Sequence, residues 1–172
     1  MLNIAADRKQ VKRRGRRPGA SVVAAIAVVL LASWGWTDTG LRLDVVACDS
    51  QEVLLQIEVK EGTDFSIWFL HSYDKAPFEE HYRVLGRDRI LLTHMTFKSS
   101  LNGQGFALGT YRTKPGGYAE LAAINQELAQ VTFRLGSPDL ANHALIIHGR
   151  RLRLLDHANA GTLLCIRVRS SE

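Results

Sequence analysis

Histidine, serine and carboxylate side chains crowd into one short stretch, HSYDKAPFEEHY at residues 71–82, and RILLTHMTF at 89–97 adds another histidine. These residue types point to three chemistries. His81 and His94, with Glu79 nearby, are candidate metal ligands, since imidazole and carboxylate suit divalent ions; two histidines and one acid here have no signature spacing. Nucleophilic catalysis would need Ser72, Ser99 or Ser100 beside a histidine and an acid. Ser72 directly follows His71, so in a strand the two side chains point to opposite faces, which argues against that pair. Gly103, Gly105 and Gly109 resemble a phosphate cradle, with Arg112 and Lys114 to neutralise an anion. The segment does not pass straight from strand to helix as a phosphate loop does. Against all three stands a structural reading, a hairpin locked by its own side chains under a loop that folds over the sheet.

The elements that must position these residues read as strands. LRLDVVA, EVLLQIEVK, FSIWFLHSY, FEEHYRVL, RILLTHMTF, VTFRL, HALIIHG, RRLRLLD and TLLCIRVR are short, rich in β-branched and aromatic residues, and separated by turn material such as EGTD, DKAP and GRDR. This spacing predicts a mainly β fold, an antiparallel sandwich or a partly closed barrel. One short helix is expected at 118–130, where Tyr118, Leu121, Ile124 and Leu128 fall on one helical face. The glycine-rich piece before it, from Ser99 to Gly117, is expected to be a loop.

With DKAP as the turn, Tyr73 pairs with Phe78, His71 faces Glu80 and Phe69 faces Tyr82. Phe65, Ile67 and Val84 join them on an apolar face that is expected to be buried. There His71 and Glu80 would form a charge-assisted pair that pins the hairpin. Trp68, Glu79, His81 and Arg83 take the other face, and a two-residue turn at Arg87 and Asp88 sets His81 opposite His94.

Charge separates the chain into parts. The 172 residues carry a net charge of +5. Seven of the 22 basic residues and one of the 17 acidic ones lie in the first 20 positions, leaving 15 basic against 16 acidic side chains in the other 152. A nucleic-acid-binding domain keeps its basic patch on the folded part, so nucleic acid is not an expected partner. The basic stretch at 1–19 precedes ASVVAAIAVVLLASWGW at 20–36, an uncharged run with Trp34 and Trp36 at its far end. As a helix it would span roughly 25 Å, enough for a thin bilayer. The arginines place the amino terminus in the cytoplasm and 39–172 outside. A transmembrane signal anchor is the preferred reading. A cleaved signal peptide competes, with Ser33 and Gly35 small enough for cleavage, and a buried helix of a soluble protein is a third reading.

Export changes how the two cysteines are read. An oxidising compartment permits a bridge between Cys48 and Cys165; the alternative is a pair of small buried hydrophobes. Neither has the close Cys or His spacing of a zinc site.

FLHSYDKAPFEEHYRV followed by ILLTHMTFKSSLNGQGF resembles the signature of the bacterial domain of unknown function 1850 family, with matching positions at His71, Ser72, Pro77, Glu80, Phe97, Ser99, Gly103 and Gly105. The run from Phe133 to Val168 fits that family's closing strands, so the resemblance covers nearly the whole exported part. Ala76 stands where threonine is usual and Phe106 where a proline commonly follows the glycines. The resemblance implies a small exported or membrane-anchored protein without an established activity, often encoded beside tripartite ATP-independent periplasmic (TRAP) transporters. Its expected partners are the transporter's membrane subunit or solute receptor.

Together these readings predict a single-pass membrane protein with an extracytoplasmic β domain, acting without cofactor or catalysis as an accessory or interaction module for solute uptake. The contact surface would be the loop carrying Ser99, Gly103, Gly105 and Arg112. A small-ligand or metal-binding protein is the alternative.

Overall fold

Alternating apolar residues fold the described part of this chain into twelve antiparallel strands. The computed structural model describes residues 40–98 and 108–171. The expected tail and anchor at 1–36, together with Ser99, Ser100, Gly103, Gly105 and Phe106, lie outside them. No helix among the described residues is long and apolar enough to cross a membrane.

The strands are β1 (Leu41–Ala47), β2 (Val53–Val59), β3 (Asp64–Leu70), β4 (Pro77–Gly86), β5 (Arg89–Phe97), β6 (Thr110–Lys114), β7 (Tyr118–Ala122), β8 (Gln126–Leu128), β9 (Val131–Arg134), β10 (Ala144–Ile147), β11 (Arg150–Arg153) and β12 (Leu163–Ser170). They form two sheets. The smaller runs β2-β1-β12-β9; the larger runs β11-β10-β3-β4-β5-β7-β6, with β8 also paired to β5. Leu43, Val45, Leu164, Ile166 and Val168 of the small sheet pack in one cluster with Phe65, Ile67, Tyr82, Val84, Ile90 and Leu145 of the large one, all 5% exposed or less. Removing these side chains from water is the main force joining the layers. The β4–β5 turn adds a polar tie, since Arg169 donates to Asp88 at 2.6 Å and the Asp88 N–H donates to the Val168 carbonyl at 3.0 Å.

Cys48 and Cys165 are joined by a disulfide across 117 residues of sequence. Cys165 lies opposite Val46 in the β1–β12 ladder, and Cys48 follows the end of β1, so the bridge staples two strands that are already neighbours.

The predicted helix at 118–130 is absent. Ala119 and Leu121 are buried in alternation along β7, while Ala123 and Asn125 take left-handed backbone angles of φ 56° and 49° and divide β7 from β8. That kink returns Ile124 and Leu128 to the core side, where they pack against the main cluster. A strand with a phase-shifting corner thus imitates the three- and four-residue spacing of a helix. The expected loop from Ser99 to Gly117 likewise contains a strand, β6, whose five residues are all exposed at the sheet edge.

Candidate functional site

The β3–β4 hairpin closes through a longer loop than DKAP alone. Leu70 pairs with Pro77, Phe69 with Phe78, Ile67 with Glu80 and Phe65 with Tyr82. The expected pairings of Tyr73 with Phe78, His71 with Glu80 and Phe69 with Tyr82 are therefore corrected. The real register differs by an even number of residues, so the inward face is retained. Phe65, Ile67, Phe78, Tyr82 and Val84 are buried. His71 leaves the ladder and pairs its Nδ1 with Asp74 inside the loop, while Ser72 is exposed. The loop is closed by His71 N–H to the Ala76 carbonyl and by Lys75 N–H to the His71 carbonyl, with Lys75 at φ 52°. Pro77 begins β4, a position where its missing N–H interrupts no ladder.

The outer face carries the two histidines. β4 and β5 meet through the turn at Arg87 and Asp88, and His81 pairs with His94. Two irregularities cancel to give that register: Leu85 is passed over on β4 and Thr93 on β5. The second reverses the alternation of β5, so Ile90 and Leu92 point inward before it and Phe97 after it. The rings of His81 and His94 stack at 4.1 Å with 1° between their planes. His81 Nε2 bonds to Thr96 Oγ1 at 2.9 Å and its Nδ1 lies 3.9 Å from Glu79, which also accepts from the Ser66 hydroxyl. His94 Nδ1 bonds to Thr93 Oγ1 at 2.8 Å. Burial, then the neighbouring His94, holds the His81 pKa below the ordinary imidazole value.

An imidazole binds a metal through a lone pair in its ring plane, at about 2.0–2.1 Å for zinc. Two parallel stacked rings cannot direct such lone pairs at one ion in the arrangement seen. Among the described residues no group of three or more histidine, cysteine, aspartate or glutamate side chains is placed to hold a metal.

Of the phosphate-loop candidates, Gly103 and Gly105 lie outside the described residues. Lys114 is paired with Glu120 at 3.0 Å, and Arg112 sits on β6 opposite Glu120. Gly109 has a packing role, since a Cβ there would lie 2.4 Å from the Ala122 carbonyl oxygen.

The more organised site lies between the sheets. A cavity of about 320 Å³ is bounded by Ile67 and Phe69 of β3, Glu80 and Tyr82 of β4, Leu128 of β8, the Gln130–Phe133 stretch, and His143. Glu80 points inward because it shares the alternation of Phe78 and Tyr82. Its Oε2 accepts from the Tyr82 hydroxyl at 2.7 Å, and burial raises its pKa more than that bond lowers it. Burial and the adjoining carboxylate push the Tyr82 phenol well above its usual range, so the hydroxyl stays a donor. His143 is 8% exposed and lies between the rings of Phe69 and Phe133, at 5.3 and 4.9 Å. Burial lowers its pKa to about 4. Its Nδ1 accepts from the Gly136 N–H at 3.2 Å, so the neutral ring carries its proton on Nε2.

Glu80 was singled out in the sequence by its place on an apolar face. His143 was not, because the Phe69 and Phe133 rings that enclose it come from segments far apart in the chain. A histidine immediately before the apolar run ALII was the available signal.

A family model described as Domain of unknown function (DUF1850) matches residues 65–154, 90 of the 172. The match includes Glu80, Tyr82 and His143 and ends at Leu154, short of the closing strand that the sequence resemblance had included. No curated protein and no solved structure matches the chain.

Proposed function

From a chain that belongs to the DUF1850 family, and whose one disulfide supports an oxidising compartment, we propose an extracytoplasmic small-molecule-binding module that assists solute uptake without catalysis. The cavity between the sheets carries this reading. It brings a half-buried carboxyl, a phenol donor and a neutral imidazole together with aromatic and aliphatic walls, the composition of a ligand seat. Its volume is at the small end of such sites, which run from about 300 to 1,000 Å³. Among the described residues, the hydroxyls bonded to histidines elsewhere are those of Thr93 and Thr96, on the outer face. A nucleophilic centre therefore draws no support from Ser72.

Mass spectrometry of the gently purified full chain tests the proposal. A retained small molecule is expected, and Val131→Phe, which fills the cavity, is expected to lose it. Equal retention by that variant would move the ligand elsewhere and sink the reading.

A second reading is a protein-interaction module that contacts a TRAP-type membrane subunit or solute receptor through the open edge at β6, whose five residues are exposed. Crosslinking in native membranes separates the two. Capture of such a subunit through β6, with no molecule retained in the cavity, favours the second.

A further inference from the structure

We propose that the cavity between the sheets takes a small organic ammonium ion, its head against Glu80 and its apolar body among Phe69, Val131 and Phe133. This rests on the reading of the cavity as a ligand seat and names the class of ligand.

Charge complementarity carries the inference. Of the residues lining the cavity, Glu80 alone has a side chain that is formally charged near neutral pH once His143 is neutral. Tyr82 satisfies one carboxylate oxygen, and among the described residues no basic side chain lies within salt-bridge distance of the other. A half-buried carboxylate with one neutral donor is under-compensated. A cation entering the cavity supplies the missing partner and forms a charge-assisted hydrogen bond in a water-poor setting. The aromatic walls contribute in the same direction, because ring faces attract cations.

Competing ligand charges fit less well. A carboxylate or phosphate would find no fixed cation and would meet Glu80 as a like charge. A neutral molecule could donate a hydrogen bond to the carboxyl but would leave its charge unpaired. His143 supplies an Nε2–H donor on the far wall, which suits an acceptor atom elsewhere on the ammonium-bearing molecule.

Calorimetric titration of the full chain at pH 7.5 with isobutylammonium, isobutanol and isovalerate tests the inference, since the three share one apolar body and differ in charge. The expected order is the ammonium ahead of the alcohol by about ten-fold or more, with no binding of the carboxylate. Glu80→Gln, which keeps an acceptor for Tyr82, is expected to abolish the ammonium's advantage and bring ammonium and alcohol to similar affinity. Alcohol or carboxylate binding as tightly as the ammonium would overturn the assigned class and leave the cavity as a ligand seat. If none of the three binds, both the class and the seat are lost.

Discussion

At the scale of single residues, Glu80 and His143 oppose each other in their response to pH. The folded pKa of Glu80 is raised, so the folded state holds its proton longer than the unfolded chain does. Its favourable contribution is complete below the unfolded value near 4.5 and is lost as pH rises through the folded one. Glu80→Gln is therefore expected to melt higher than the wild type at pH 8, on the order of 1–2 kcal/mol, with the difference vanishing near pH 4. Thermal melts across that range check it. His143 behaves in the other sense. Its folded pKa of about 4 lies below the ordinary 6.5, so its contribution is present above 6.5 and lost as pH falls toward 4. Denaturant titrations from pH 7 to pH 4 are expected to show a loss on the order of 2–3 kcal/mol, which His143→Gln removes. His71 has a smaller part. Its partner is Asp74 in a partly exposed loop, so His71→Ala is expected to cost less than about 1 kcal/mol. A larger loss of melting temperature would restore a hairpin-pinning role.

At the scale of elements, alternation was the legible part of the sequence. It identified most strands, the inward face of β3 and β4, and the outward placement of His81 and His94. What it missed were the phase shifts. Leu85 and Thr93 each displace the ladder by one residue, and they cancel; no composition signal marks either position. Ala123 and Asn125 bend the chain between β7 and β8, and the resulting spacing of Leu121, Ile124 and Leu128 imitates a helix. The hairpin loop was set too short because DKAP is good turn material by itself, whereas the true closure uses the backbone of His71 and Ala76. Gly109 permits the close approach that starts β6 beside β7. Gly109→Ala is expected to raise amide exchange along Thr110–Lys114 while leaving β1 and β12 protected, because the clash with the Ala122 carbonyl is confined to that edge.

At the scale of the whole molecule, the cavity was illegible for a different reason. Its walls come from β3, β4, β8, β9 and the approach to β10, so no local window contains more than a fraction of it. The disulfide acts on the whole unfolded chain rather than on a local contact. It joins strands that pair without it, so replacing both cysteines by serine is expected to preserve the sheets while lowering stability by about 4–5 kcal/mol in the chain-entropy model. Equilibrium unfolding with and without reductant measures that difference. The proposed membrane tether belongs to this scale too. Fractionation of the full chain is expected to recover it with membranes, and removal of residues 1–38 to release it; a truncated chain that remains membrane-bound would count against the tether.

The pairing of β1 with β12 has a consequence for synthesis. Leu41 meets Ser170, so the first strand of the domain, which can pair with β2 at once, gains its second neighbour only when the last strand has been made. Such a sheet has a high contact order, and loop closure over most of the domain must precede its completion. Hairpins such as β3–β4 and β4–β5 can form as they emerge, whereas the small sheet closes after Ser170 is available. Until then the inward faces of β3 and β4 lack the part of their cover that β9 and β12 supply, so the nascent chain presents apolar surface late into elongation. A holding chaperone encountering this protein would therefore find its binding surface on those strands and lose it when the final strand docks.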